Sequence, residues 1–258
     1  MSSRTSHTPA SDADRDGRQD SRGLRLQVFL ARAGRGSRRT MEQAIRGGRV
    51  AVDGQTVTTL GVRVDPETQE IRLDGKLVQP KRQPGIVIAL HKPPRVLTTT
   101  HDPHGRPTVL HLLPSALRRE RLYPVGRLDF ASEGLVLLTN DGDLAFQLMH
   151  PRFGHEREYV VTVRGPEPPG LAQRLTEGVD IGDRRPARAL RARRVSQGWQ
   201  LVLVEGRKRQ VRRMFEAVGM RVTRLQRVRI GSVVLGDLAP GAARELGAAE
   251  IATLRLQN

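Results

Sequence analysis

Residues 1–22 are mostly Ser, Asp, Arg, Gly and Thr with almost no apolar position, and patterned hydrophobicity starts at Leu24. Such a segment cannot bury enough apolar surface to offset its ordering entropy, so a disordered tail is expected over 1–22. Leu26, Phe29, Leu30 and Ala33 then fall at i, i+3, i+4 and i+7, the spacing of an amphipathic helix that Gly34 and Gly36 end. Ser37 suits the N-cap of a second helix, with Met41, Ala44 and Ile45 on one face and Arg38, Arg39 and Arg46 elsewhere. Gly47-Gly48 stop it. Val50, Val52 and Val57 read as strands around an Asp53-Gly54 turn, and Ile71 and Leu73 precede a second such turn at Asp74-Gly75. Residues 23–80 are therefore expected to form a small domain of two helices plus hairpins.

Residues 81–85 read as a linker. Beyond it, Ile86–Leu90, Leu135–Thr139, Tyr159–Val163 and Trp199–Val204 are short runs rich in Leu and β-branched residues, as strands are. Helices are expected over 141–149, 169–177 and 208–218. In the last, Val211, Met214, Phe215 and Val218 form an apolar stripe; Lys208, Arg209 and Arg213 lie off it and Arg212 at its edge. Strands outnumber helices, so 86–258 is expected to be an α+β domain built on a mainly antiparallel sheet.

Charge changes this picture. The chain holds 44 Lys+Arg against 27 Asp+Glu, a net charge of +17. The excess sits in two blocks: seven Arg against one Glu in 23–49, and 15 basic against two acidic residues in 184–229. An arginine-biased composition alone would spread the charge evenly. Clustered guanidinium groups, which fork onto phosphates and stack on bases, point to nucleic acid.

The chain has no cysteine, which excludes a disulfide framework, a thiolate zinc site and a thiol nucleophile. No apolar run is long enough to span a membrane and no secretory leader is evident, so a cytoplasmic protein without a membrane partner is expected. Phosphate-loop, dinucleotide-loop and nucleophile-elbow motifs are missing. His101 and His104, or His150 and His155, lack the carboxylate spacing of a metal site. What stands out is Val125-Gly126-Arg127-Leu128-Asp129 followed by Glu133-Gly134-Leu135, an Asp in a loop just ahead of an apolar strand that can hold it rigidly. The second feature is Glu205-Gly206-Arg207-Lys208-Arg209-Gln210-Val211-Arg212-Arg213-Met214, where a strand ends, a Gly turns the chain and a basic helix begins.

Together these segments, with His150-Pro151-Arg152-Phe153 and Arg157-Glu158-Tyr159, resemble the RsuA/RluB/RluE/RluF family of ribosomal RNA pseudouridine synthases. Residues 23–80 are similar to a small RNA-binding domain first known from a small-subunit ribosomal protein and found attached to RNA-modifying enzymes. The resemblance covers residues 24–258, and the closing segment around Val228–Leu238 is most like the large-subunit enzymes of the RluB type. It implies a pseudouridine synthase catalytic domain over 86–258. Asp129 matches the catalytic aspartate, Tyr159 the tyrosine that stacks on the target base, and Arg212 the arginine that ion-pairs with the aspartate. Leu203 or Val204 matches an apolar residue near the base, with Leu203 the assignment made. Arg38, Arg39, Arg46, Arg127, Arg207, Lys208, Arg209 and Arg213 are the expected RNA contacts. Two positions depart from the family's pattern: His91-Lys92-Pro93-Pro94-Arg95 lacks the Gly of Asn-Lys-Pro-x-Gly, and Phe130-Ala131-Ser132 replaces more polar residues.

The implied reaction breaks the N1–C1′ bond of uridine, turns the uracil and joins C5 to C1′. Uracil leaves as a delocalised anion and no water is activated, so one carboxylate suffices where a glycosidase needs two. Asp129 could attack carbon or take a sugar proton; both need it ionised, which gives Arg212 its role. No cofactor or metal is called for. The expected partner is ribosomal RNA, large subunit ahead of small, met by a monomer. The rival readings are a non-catalytic RNA-binding assembly factor, which has no use for the carboxylate, and a DNA-binding helix pair, which leaves 125–142 unexplained.

Overall fold

The computed structural model describes residues 23–79 and 85–256. The expected tail over 1–22, and the expected linker apart from Gly85, lie outside the described residues. The chain divides into two units at residues 83/84.

The first unit runs β1 (Leu24–Arg25), α1 (Leu26–Arg32), α2 (Arg38–Arg46), β2 (Val50–Val52), β3 (Gln55–Val57), β4 (Arg63–Val64), β5 (Ile71–Leu73) and β6 (Lys76–Leu77). The Ser37 hydroxyl accepts from the Thr40 amide at 3.0 Å, a cap that stabilises α2 by about 1 kcal/mol. Leu26, Phe29 and Leu30 of α1 meet Met41, Ala44 and Ile45 of α2 over Val50 and Ile71. The sheet order is β3-β2-β5-β6. Asp53 and Gly54, like Asp74 and Gly75, take positive φ, as tight hairpin turns require.

The second unit contains β7 (Val87–Lys92), α3 (Ser115–Arg118), β8 (Tyr123–Val125), β9 (Glu133–Thr139), α4 (Gly142–Met149), β10 (Arg157–Arg164), α5 (Leu171–Glu177), β11 (Arg191–Val195), β12 (Gly198–Leu203), α6 (Gln210–Ala217), β13 (Arg221–Ile230), β14 (Val233–Val234), β15 (Ala243–Glu245) and α7 (Ala248–Leu256). Its sheet runs β11-β12-β10-β13-β9-β7-β15, with β14 on β13 and β8 on β9. Every pairing is antiparallel except β13 with β9, which are parallel over Gln226↔Glu133 and Arg227↔Gly134. The sheet is apolar on both faces, so its inner strands read as continuous runs rather than alternations. Ile88, Leu90, Val136, Leu138, Val161 and Leu201 face α5 and α6, where Leu175, Met214 and Phe215 are buried. Val87, Ala89, Leu135 and Leu137 face the opposite layer, with Leu144 and Leu148 of α4 and Leu254 of α7. Burying each such side chain contributes about 2 kcal/mol.

The longest strand, β13, is not among the strands expected from the sequence. It lies inside the second basic block, and two register shifts against β10 break its alternation.

Candidate active site

Asp129 lies in the loop 126–132, which links β8 to β9. Val125↔Leu137 closes the hairpin, and β9 then runs on past its partner toward Glu133 and Gly134. Backbone and side chains pin this loop at three places. The Thr98 hydroxyl donates to the Leu128 carbonyl at 3.0 Å. The Arg95 amide donates to the Phe130 carbonyl at 2.7 Å. Arg212 donates to the Ala131 carbonyl and the Ser132 hydroxyl, both at 3.3 Å, and to the Val222 carbonyl at 3.2 Å. Asp129 itself is half-buried, and Leu128 beside it enters the main core.

Strand register builds the floor of the site. Gly134 is the partner of Lys92 on β7 and of Arg227 on β13; Arg227 is the partner of Tyr159 on β10, and Tyr159 of Leu201 on β12. Partnered residues share a sheet face, so Lys92, Arg227, Tyr159 and Leu201 form one transverse row on the α5/α6 side. Gly134 leaves the row open in its middle because no side chain fits there. A Cβ on Gly134 would stand 2.2 Å from the Arg227 carbonyl oxygen and 2.6 Å from its nitrogen, and its φ is +107°.

The row holds two buried cations. Lys92 is completely buried and donates to the Pro93 carbonyl at 2.9 Å. Burial lowers its ammonium from the ordinary 10.5 to about 8, and Arg227 adds to that fall; the negative charges of Asp129 and Glu133 oppose it. Arg227, 2% exposed, donates through Nε to the Leu135 carbonyl at 2.8 Å. Arg212 is lowered by burial and by Arg209, with Asp129 and Glu216 pulling the other way. Asp129 therefore lies within electrostatic reach of both Lys92 and Arg212.

One expectation changes here. Arg212 comes to the back of the Asp129 loop, but its hydrogen bonds go to residues 131, 132 and 222, and no ion pair within 4 Å joins it to Asp129 among the described residues. Its two terminal nitrogens are held by these acceptors, while its buried Nε has no hydrogen-bond partner among the described residues. Tyr159 is buried, and Leu203, also buried, lies in the same cluster on that face; Val204 follows it, exposed at the strand end.

The expected RNA contacts divide into two groups. Arg38, Arg39 and Arg46 are exposed on α2, away from its buried face. Arg127, Lys208 and Arg209 are also exposed, Arg209 at 3.7 Å from Glu216. Arg207 and Arg213 have work inside the protein. Arg207 binds Glu205 and the carbonyls of Arg185 and Pro186, and Arg213 binds Asp183 and the Ile181 carbonyl. They shape the 181–186 loop.

Lys92, Gly134, Arg227, Thr98 and Arg95 were not singled out as site residues from the sequence. Lys92 had a signal: only four of 44 cations are Lys, and this one ends an apolar strand. Arg95 had another, standing where the resembling family has Gly. It takes φ +67°, the left-handed conformation a Gly adopts freely and an Arg does not.

Among the described residues no cluster of His, Asp and Glu could hold a metal, and no helix is long and apolar enough to cross a membrane. Residues 86–217 match the family model described as RNA pseudouridylate synthase, and residues 24–71 match the S4 domain. An uncharacterized RNA pseudouridine synthase of Mycobacterium leprae is 44% identical over 241 residues, 90% of this chain and 92% of that protein. The ribosomal large subunit pseudouridine synthase B of Bacillus subtilis is 40% identical over 237 residues, covering 90% and 95%. A crystal structure of a pseudouridylate synthase superposes with a TM-score of 0.66 at 32% identity, covering 90% of this chain and 99% of that one.

Proposed function

The chain belongs to the RNA pseudouridylate synthase family, and from that premise we propose that it isomerises uridine to pseudouridine in large-subunit ribosomal RNA, with Asp129 as the one catalytic carboxylate. The observation that carries the reading is the placement of Asp129: a half-buried carboxylate on a loop pinned at three points, within electrostatic reach of the buried cations Lys92 and Arg212. Either route, attack on carbon or removal of a sugar proton, uses the ionised carboxylate.

The target uridine leaves its stack to reach this carboxylate. Unstacking costs a few kcal/mol, offset by stacking on an aromatic ring such as Tyr159, with Leu203 as apolar support. Arg212 acts as the charge partner of Asp129 and as a clamp on its loop. Arg38, Arg39 and Arg46 on the small domain, with Arg127, Lys208 and Arg209 on the catalytic one, contact RNA phosphates. Arg207 and Arg213 serve RNA indirectly through the 181–186 loop. We place the reaction in the cytoplasm, carried out by a monomer.

Asp129→Asn tests the assignment. Isomerisation of unmodified 23S ribosomal RNA should vanish while RNA affinity stays within about twofold, since one neutralised carboxylate removes no phosphate contact. Pseudouridine mapping across 16S and 23S RNA after gene deletion should show a lost site in 23S. Turnover by the Asn variant would remove Asp129 from the role.

A further inference from the structure

We propose that Arg164, Arg221 and Arg212 line an anion site for a backbone phosphate of the substrate RNA, next to the nucleotide that enters the active site. The inference rests on the RNA-isomerising function given above and adds to it a binding subsite on residues that the catalytic assignments do not use, Arg164 and Arg221.

Arg164 closes β10 and Arg221 opens β13, and the two are direct partners across the antiparallel ladder. Partnered residues project to the same face, and like charges so placed repel. No described residue relieves them: both side chains are exposed, and neither has a hydrogen bond or ion pair with a described residue. Other arginines of the catalytic unit are paired with carboxylates. Arg191 and Arg229 share Glu156, Arg213 binds Asp183 and Arg224 binds Glu133.

Beside the pair is a cavity of about 460 Å³ lined by Ala131, Arg164, Arg212, Arg221, Val222 and Thr223. Three of its six lining residues are arginines and none is acidic. Arg212 is 7% exposed, so one wall carries a buried positive charge. Two cations paired on a ladder with a third, buried one in the same cavity wall, and no acidic residue in the lining, form a site that a phosphate would complete through charge-assisted, forked hydrogen bonds.

The location selects the source of the phosphate. Ala131 lines the cavity and lies two residues beyond Asp129, at most about 7 Å along the chain. A strand of RNA whose uridine reaches Asp129 passes its neighbouring phosphate over this position. The site would thereby fix where the backbone lies while the base turns within the active site. Tight placement of the backbone during a reaction in which the base detaches favours binding and leaves the bond chemistry to Asp129.

Arg164→Gln, Arg221→Gln and the double variant test this, with Arg164→Lys/Arg221→Lys as the charge-preserving control and in-vitro transcribed 23S RNA as the probe. The expected result is a KM raised about tenfold in the double variant with kcat within about twofold. The slope of log Kd against log salt should fall by about one, as loss of one phosphate contact requires. The Lys pair should recover most of that slope, which a purely structural defect would not allow. A slope and KM unchanged in the double variant overturn the site. So does a drop in kcat at constant KM, which would make the pair part of the chemistry. An unchanged slope, with inorganic phosphate raising the melting temperature of the wild type alone, would make the cavity a free-anion site and overturn the RNA assignment. Absence of turnover by the wild type on this transcript would count against the proposed substrate; the salt slope still decides the cavity.

Discussion

Gly134 lies where β9 meets β13, and replacing it with Ala tests whether that close approach is required. The added Cβ would stand 2.2 Å from the Arg227 carbonyl oxygen, 2.6 Å from its nitrogen and 2.9 Å from its carbonyl carbon. All three atoms are backbone in a strand held on both sides, so no side chain can swing away. Overpacking of this kind costs about 1–3 kcal/mol, and an L-residue at φ +107° adds about 1–2 kcal/mol. The expected loss is about 4 kcal/mol. Gly126 is the control: its φ is +74°, yet nothing lies within 4 Å of its Cβ, so Gly126→Ala meets only the backbone term, about 1–2 kcal/mol. The chain has one Trp, Trp199 on β12 of this sheet, so urea unfolding followed by its fluorescence reports on the catalytic unit alone. At a slope of about 2 kcal/mol/M, Gly134→Ala should shift the midpoint by about 2 M and Gly126→Ala by less than about 1 M. Because the displaced strand starts beside the Asp129 loop, Gly134→Ala should also lose activity. Equal losses of stability in the two variants would refute the clash argument and leave only backbone strain.

Two further outcomes follow from the same neighbourhood. Arg95→Gly removes an Arg from φ +67°; relief of about 1–2 kcal/mol, less the greater freedom of Gly in the unfolded chain, should raise stability by about 0.5–1 kcal/mol in the same urea assay, whereas Arg95→Val should lower it. Lys92 titrates at about 8 when folded against 10.5 ordinarily, so between those values the unfolded chain binds more protons and this residue makes stability rise with pH. Unfolding free energies at pH 8 and pH 10 should show that rise in the wild type and a smaller one in Lys92→Met; parallel profiles would mean that Lys92 is not perturbed.

How much of this was legible in the sequence depended on how local the cause was. The Ser37 cap and the Asp-Gly turns follow from chemistry within a few residues, and they are where that chemistry puts them. Asp129 was legible because its loop and the strand behind it are contiguous. The row Lys92–Gly134–Arg227–Tyr159 was not, because it exists only once strand register aligns four distant segments. β13 was hidden by its own arginines. Read as an RNA surface, Arg224, Arg227 and Arg229 turn out to bind Glu133, the Leu135 carbonyl and the pair Glu156 and Glu158. Helix periodicity placed Arg212 at the edge of the α6 stripe but could not say which atoms of the loop its guanidinium would reach.

The order of strands in the catalytic sheet leaves β11 at one edge, with Arg191, Arg193 and Arg194 among its five residues. An unpaired edge is a template for any extended strand that drifts against it. A second β11 laid antiparallel alongside would bring arginine close to arginine along its length, which the ladder does not tolerate. Part of the arginine excess, on this view, is insurance against aggregation, independent of any RNA.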